Sequence, residues 1–239
     1  MGLPSKPLKA VFPIVLKRKS PETYYFLGTG FFVRSDGLFL TAKHVFKNWV
    51  LSEGDEFQAV MIDLSINEFI PFPICNLNFS ERFDIALGQM EGVKDIQPLI
   101  LADKHAPMNR DVLAVEFSGT HSQLTESGQK ALIFNPYFRK GHVICHYESV
   151  FPTSIPTFYM DLSFPALKGA SGAPVIVEIG GSVIGMVLGN IERELLPAQI
   201  ERVTQDGSHI EEIKYFLPAG QAISWVHLVH FVKSISQGD

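Results

Sequence analysis

Apolar positions along this chain fall in short runs, interrupted every few residues by Gly, Pro, Asn or Asp. Residues 24–33 (YYFLGTGFFV) lead through Ser35-Asp36-Gly37 into 38–42 (LFLTA), the pattern of a β-hairpin with Asp-Gly at its turn. Further runs occupy 57–64, 69–75, 84–90, 112–117, 130–134, 141–147, 157–162, 174–179 and 183–188, with Gly180-Gly181 as a two-residue turn between the last two. The apolar run near the N-terminus contains Pro13 and is followed by Lys17, Arg18 and Lys19. It reads as a first strand and not as a signal peptide. About a dozen strands imply an all-β chain. The polar stretch 102–110 (ADKHAPMNR) divides it near its middle, as a linker between two β units would. Toward the end, Ile223, Val226, Val229 and Val232, with Leu228, Phe231 and Ile235, recur at helical spacing, which predicts an amphipathic C-terminal helix over 221–236. Residues 190–212 are the most charged stretch and read as a solvated loop or short helix between two strands.

Composition narrows this picture. With 46% hydrophobic and 19% charged residues, 239 residues suffice for a substantial core in one or two compact units. The 19 Gly, 15 Pro and 19 Phe suit short strands and tight turns better than helical bundles. A net charge of −5, without any basic block, removes nucleic acid from the expected partners. The two cysteines, Cys75 and Cys145, form no CxxC pair and are too few for a disulfide-stapled secreted domain. Cys75 is expected in the core. No apolar stretch is long enough to cross a bilayer, and Lys6 breaks the myristoylation pattern. No membrane partner is therefore expected, and the expected location is a reducing cytoplasm.

Three segments carry candidate chemistry. Gly169-Ala170-Ser171-Gly172-Ala173-Pro174 places a hydroxyl between residues small enough for a substrate backbone to approach, on a turn whose N–H groups can face a developing oxyanion. Read alone, it is also an ordinary small-residue turn. In Thr41-Ala42-Lys43-His44-Val45 a histidine ends a strand, where a rigid scaffold can present a general base. In Phe83-Asp84-Ile85-Ala86-Leu87 a lone acid opens an apolar run; buried, it needs a hydrogen-bond partner, and a histidine Nδ1–H is a suitable one. Each has a bland alternative as a strand-end or turn residue.

Together, and in this order, they resemble the trypsin/chymotrypsin-like serine peptidases, in particular the simplified bacterial HtrA-like type. Gly28-Thr29-Gly30-Phe31-Phe32 followed by Leu40-Thr41-Ala42-Lys43-His44-Val45 is similar to that family's G-S/T-G hairpin and its histidine segment. Asp84-Ile85-Ala86-Leu87 is similar to its D-[IL]-A-L motif, and residues 169–174 to its G-[ND]-S-G-[GA]-P loop. The resemblance implies two six-stranded antiparallel β-barrels followed by a helix. Residues 1–101 would carry His44 and Asp84, 111–220 would carry Ser171, and 221–236 would form the helix. It implies Ser171 as nucleophile, His44 as general base, Asp84 as its orienting acid, and the N–H groups of Gly169 and Ser171 as oxyanion hole. The specificity pocket would have Pro165 and Ala166 at its floor and Val187, Leu188, Gly189 and Asn190 on one wall. None of these is charged, so a neutral, apolar substrate side chain is expected.

The pattern departs from the trypsins at Ala170, where zymogen activation requires an aspartate, so that mode of activation is not expected. PDZ-gated behaviour is not expected either. No cofactor or metal is expected: His142, His146 and Glu148 share a strand face at metal-compatible spacing, but exposed strand faces commonly carry polar residues. His227 and His230 are expected at the helix surface. The expected partner is a protein or peptide substrate, with the 190–212 segment either a plain insertion or a lid or exosite for a regulatory partner. A catalytically silent trypsin-fold scaffold is the alternative reading.

Overall fold

The computed structural model describes residues 9–63, 68–94, 96–124, 130–150, 154–194, 198–204, 207–213 and 215–236. Phenylalanines recurring in the early runs drive the first half of the chain together. Strands β1 (Val11–Arg18), β2 (Thr23–Phe32), β3 (Leu38–Thr41), β4 (Glu56–Asp63), β5 (Glu68–Phe79) and β6 (Ala86–Met90) close into an antiparallel barrel ordered β1-β2-β3-β6-β5-β4. Phe12, Phe32 and Phe39 cluster together, fully buried, with the Phe12 ring 4.7 Å from that of Phe32 and 5.3 Å from that of Phe39, and Phe31 is fully buried on the opposite face of β2. Such tilted and edge-on aromatic contacts add to the burial energy of each ring. A four-residue helix, α1 (His44–Lys47), follows β3.

The second half builds β7 (Asp111–Glu116), a small hairpin of β8 (His121–Leu124) and β9 (Lys130–Ile133), then β10 (Tyr137–Ser149), β11 (Thr157–Leu162), β12 (Pro174–Val177) and β13 (Val183–Glu194). A second hairpin, β14 (Ala198–Thr204) with β15 (Gly207–Ile213), leads to β16 (Phe216–Ser224) and helix α2 (Trp225–Ser236). Six of these strands close the second barrel in the order β10-β11-β16-β13-β12-β7. The fold is thus two six-stranded antiparallel barrels with a C-terminal helix, as expected. The segment between them is not slack: Leu99 N–H donates to Phe32 O at 2.9 Å, Val183 N–H to Ile100 O at 2.8 Å, and Ala102 N–H to Val183 O at 2.8 Å. These bonds fix one barrel against the other.

Two expectations change. The described residues of the charged stretch 190–212 are strand: β13 runs on to Glu194, and β14 pairs with β15 from Ala198↔Ile213 to Thr204↔Gly207. Its strand formers (Ile200, Val203, Thr204, Ile210 and Ile213) are spaced among charges, so no apolar run marks the ribbon. The C-terminal helix begins at Trp225, not 221, because Gln221 pairs with Asp161 and Ile223 with Met186, and barrel closure outweighs the helical periodicity there. Among the described residues, no helix is long and apolar enough to cross a membrane.

Candidate active site

His44 opens α1 at the rim of the first barrel, directly after β3 delivers the chain there. Asp84 sits just before β6, in a turn held by Ser80. The Ser80 N–H donates to Ile85 O at 3.0 Å, and the Ser80 hydroxyl accepts from Phe83 N–H at 3.1 Å. Since β3 and β6 are paired neighbours, with Thr41 opposite Ala86, the two residues emerge side by side. The His44 backbone N–H donates to Asp84 Oδ1 at 2.9 Å, and His44 Nδ1 lies 2.6 Å from Asp84 Oδ2. Burial works against ionising Asp84, but the ring and backbone hydrogen bonds from His44 and its charge outweigh it and hold the carboxyl below the usual carboxylate range. An ionised carboxylate only accepts, so in the neutral imidazole the proton belongs on Nδ1 and the lone pair on Nε2.

Ser171 comes from the other barrel, on the turn before β12. Gly169 and Gly172 flank it with φ of +98° and +87°, a left-handed conformation that costs other residues energy. Space is as restrictive as torsion: a Cβ on Gly169 would lie 2.3 Å from the Phe26 ring, and one on Gly172 would lie 2.1 Å from Thr29 O. Ala170 N–H donates to Leu167 O, Gly172 N–H to Val187 O and Ala173 N–H to Ala170 O. Among the described residues, the N–H groups of Gly169 and Ser171 have no acceptor. Two such unpaired donors, one of them on Ser171 itself, suit this turn to holding an anion.

The serine hydroxyl donates to Leu188 O at 3.2 Å, and among the described residues it makes no hydrogen bond to His44. Leu188 is available because β13 bulges there: Val187 pairs with Ala222 and Gly189 with Gln221, leaving Leu188 outside the ladder with β16. Of the expected pocket residues, Val187 is buried in the second core, and its backbone holds the turn of Gly172 and Ala173. Asn190 clasps Ala166, its Oδ1 accepting from the Ala166 N–H at 2.6 Å and its Nδ2 donating to Ala166 O at 2.8 Å. This clasp ties the strand wall, with Leu188 and Gly189, to the segment carrying Pro165.

Thr29 was not among the expected site residues. Wholly buried, it donates its N–H to Ser171 O at 2.9 Å and its hydroxyl to Gly169 O at 2.8 Å, while the same hydroxyl accepts from Phe117 N–H at 3.2 Å. Its place between Gly28 and Gly30 is the sequence signal that could have found it.

His227, expected at the surface, is instead 7% exposed. Its Nε2 accepts the Phe158 N–H at 2.8 Å, and its ring packs 4.2 Å from that of Phe83, next to Asp84. Burial first, then the charge of His230, lowers its pKa to about 4, so it is neutral near pH 7. The helix turns this histidine onto the barrels because it docks along the face that also buries Leu228 and Phe231. His142 and His146 are separated by an irregularity at Val143–Cys145 that breaks the alternation of β10, and His146 Nε2 lies 2.8 Å from Ala106 O. Cys75 is half-buried at the strand surface rather than in the core, its thiol donating to Gln89 O at 3.4 Å; like Cys145 it is unpaired.

Comparison with known proteins agrees with this fold. The sequence profile described as the trypsin-like peptidase domain matches residues 28–186. The fold is similar to that of the Rv3671c protease from M. tuberculosis in an inactive mutant form, with a TM-score of 0.61, 15% identity, and coverage of 98% of this chain and 89% of that one. It is similar to the HtrA-type protease AlgW bound to a decapeptide, with a TM-score of 0.63, 14% identity, and coverage of 98% of this chain and 66% of that one. The MamO protease domain from Magnetospirillum magneticum aligns with a TM-score of 0.61 and 13% identity, over 96% of this chain and 98% of that domain. A search of curated protein sequences finds no match.

Proposed function

The chain belongs to the trypsin-like peptidase domain family, and from that premise we propose that it is a serine endopeptidase acting through Ser171, His44 and Asp84. The observation that carries this is the 2.6 Å contact of His44 Nδ1 with Asp84, together with a Ser171 turn whose Gly172 packs against Thr41 and Ala42, just ahead of His44, and whose Gly169 and Ser171 N–H groups have no acceptor among the described residues. In the reaction, Ser171 Oγ leaves Leu188 O, transfers its proton to His44 Nε2 and bonds to the substrate carbonyl carbon. The C=O electron pair moves onto oxygen, which accepts from the N–H groups of Gly169 and Ser171, each donor contributing roughly 3–4 kcal/mol in comparable sites. Collapse of this intermediate breaks the C–N bond, and the leaving amine takes the proton from His44. Water then repeats the sequence on the acyl-enzyme, with His44 again as base.

The surroundings refine the substrate. Pro165, Ala166, Leu188, Gly189 and Asn190 bring no charge to the acyl side of the cleft, which supports a neutral, apolar side chain before the scissile bond. The two free thiols fit a reducing compartment, and with it an intracellular protein substrate. The β14–β15 hairpin continues from the strand that walls this side, a position suited to a regulatory partner.

The test is covalent labelling by a fluorophosphonate. Labelling should occur at Ser171, vanish in Ser171→Ala and fall strongly in His44→Ala; equal labelling of wild type and Ser171→Ala would sink the assignment. One observation favours a second reading, that of a catalytically silent scaffold: the Ser171 hydroxyl is engaged by Leu188 O. Under that reading the folded protein remains unlabelled.

A further inference from the structure

We propose that the leaving-group side of the cleft selects an acidic side chain, carried by one of the first three residues after the scissile bond. The inference rests on Ser171 as nucleophile, and concerns a cavity of about 380 Å³ that adjoins the start of the nucleophile turn. Lys168, which precedes Gly169, lines it, as does Phe26, whose ring occupies the space a side chain on Gly169 would need. Its remaining walls are the start of β2 and the β8–β9 hairpin, including Ser118, His121 and Lys130. No residue of β13 or of 163–167 lines it. Those residues form the acyl side of the cleft, so the Gly169–Ser171 turn separates the two halves. A substrate whose carbonyl oxygen rests on the turn directs its leaving amine into this cavity.

The charge in the cavity has one sign. Lys130, Lys168 and His121 face it, and among the described residues no Asp or Glu lines it. Neither lysine has an ion-pair partner among the described residues, although the protein as a whole is acidic. Among the described residues, two nearby acids are already engaged. Glu116, beneath Ser118, is wholly buried and accepts from both the Ser118 hydroxyl and Arg139 Nε at 2.7 Å. Glu22 accepts from the Tyr24 hydroxyl at 3.1 Å, with Lys17 over the Tyr24 ring. Two unpaired ammonium groups beside a ring floor attract a carboxylate on a short apolar stem and repel a lysine side chain.

Internally quenched peptides of fixed acyl side, carrying Glu, Gln or Lys in turn at each of the first three leaving-side positions, test this. The expected result is a preference for Glu over Lys of about tenfold in kcat/KM at one position, shrinking at high salt. In Lys130→Glu the preference should reverse at that same position. Fluorophosphonate labelling of the same wild-type preparation separates the two readings. If Ser171 labels but Glu and Lys peptides are cleaved equally, or none is cleaved, the inference is overturned and the serine assignment stands. If Ser171 does not label, the peptidase reading itself fails.

Discussion

The hydroxyl of Thr29 donates to the carbonyl of Gly169 at 2.8 Å, across 140 residues of chain and from one barrel to the other. Together with the Thr29 N–H on Ser171 O, this bond sets where the Ser171 turn stands relative to β2, and therefore relative to the barrel that carries His44 and Asp84. Thr29→Val keeps the shape but leaves Gly169 O and Phe117 N–H without their partner. Such buried orphans cost about 1–3 kcal/mol each before relaxation. A loss of about 2–3 kcal/mol in urea unfolding is expected, with kcat falling more than KM changes. Thr29→Ser should recover most of both.

Gly172 and Gly181 both have positive φ, +87° and +69°, but only Gly172 is crowded. A Cβ on Gly172 would meet Thr29 O at 2.1 Å and Thr41 Oγ1 at 2.2 Å, whereas nothing lies within 4 Å of one on Gly181. Gly181→Ala should therefore cost about 1–2 kcal/mol, the torsional term alone. Gly172→Ala should cost clearly more and displace the Ser171 turn, so that fluorophosphonate labelling is lost while Gly181→Ala labels normally. Paired denaturation and labelling curves check both.

Asp84→Asn keeps the size of the side chain but presents an amide NH₂ where His44 Nδ1–H and backbone N–H now meet carboxylate oxygens. The imidazole loses the partner that holds its proton on Nδ1. A drop of about 10⁴ in kcat is expected with the fold retained, by analogy with the same change in a comparable triad. A decrease smaller than tenfold, measured on a peptide substrate, would remove Asp84 from the mechanism.

Acid should weaken the fold through His227 before it reaches Asp84. In the unfolded chain a histidine titrates near 6.5, whereas His227 in the native protein titrates at about 4. Between these values the unfolded state binds a proton that the native state refuses, so stability falls as pH drops from about 6.5 to 4 and levels below that. The difference amounts to at most about 3 kcal/mol. The Asp84 carboxyl is depressed, so its contribution is present above the unfolded carboxyl value, about 3.9, and is lost only at lower pH. His227→Gln retains an acceptor for the Phe158 N–H without the charge. Its urea midpoint should change less than that of the wild type between pH 7 and 4.5.

Most strands and the two marked turns were legible in the amino-acid order because each rests on local physics, whereas the two barrels followed from the family resemblance. Alternation of short apolar runs sets strands, Asp36-Gly37 and Gly180-Gly181 set turns, and Ser171 between two glycines marks a turn few other residues could make. The β14–β15 ribbon was missed because its strand formers are interspersed with charges along the chain. Helix α2 was extended four residues too far because 221–224 satisfy a helical period while their backbone groups pair with β11 and β13.

What the sequence by itself determined is therefore the kind of fold and which groups are candidates for chemistry. Only the tertiary structure decided how those groups are held. Leu188 O is free to take the Ser171 hydroxyl because a bulge drops it from the β13–β16 ladder. Thr29 becomes a clamp because closing two barrels brings β2 against the Ser171 turn, and His227 loses its charge because α2 docks that face onto Phe83 and Phe158. Each of these joins residues far apart in the chain, and the energy of such a contact exists only once the intervening strands have paired. Periodicity and spacing report on neighbours along the chain, so they cannot carry it.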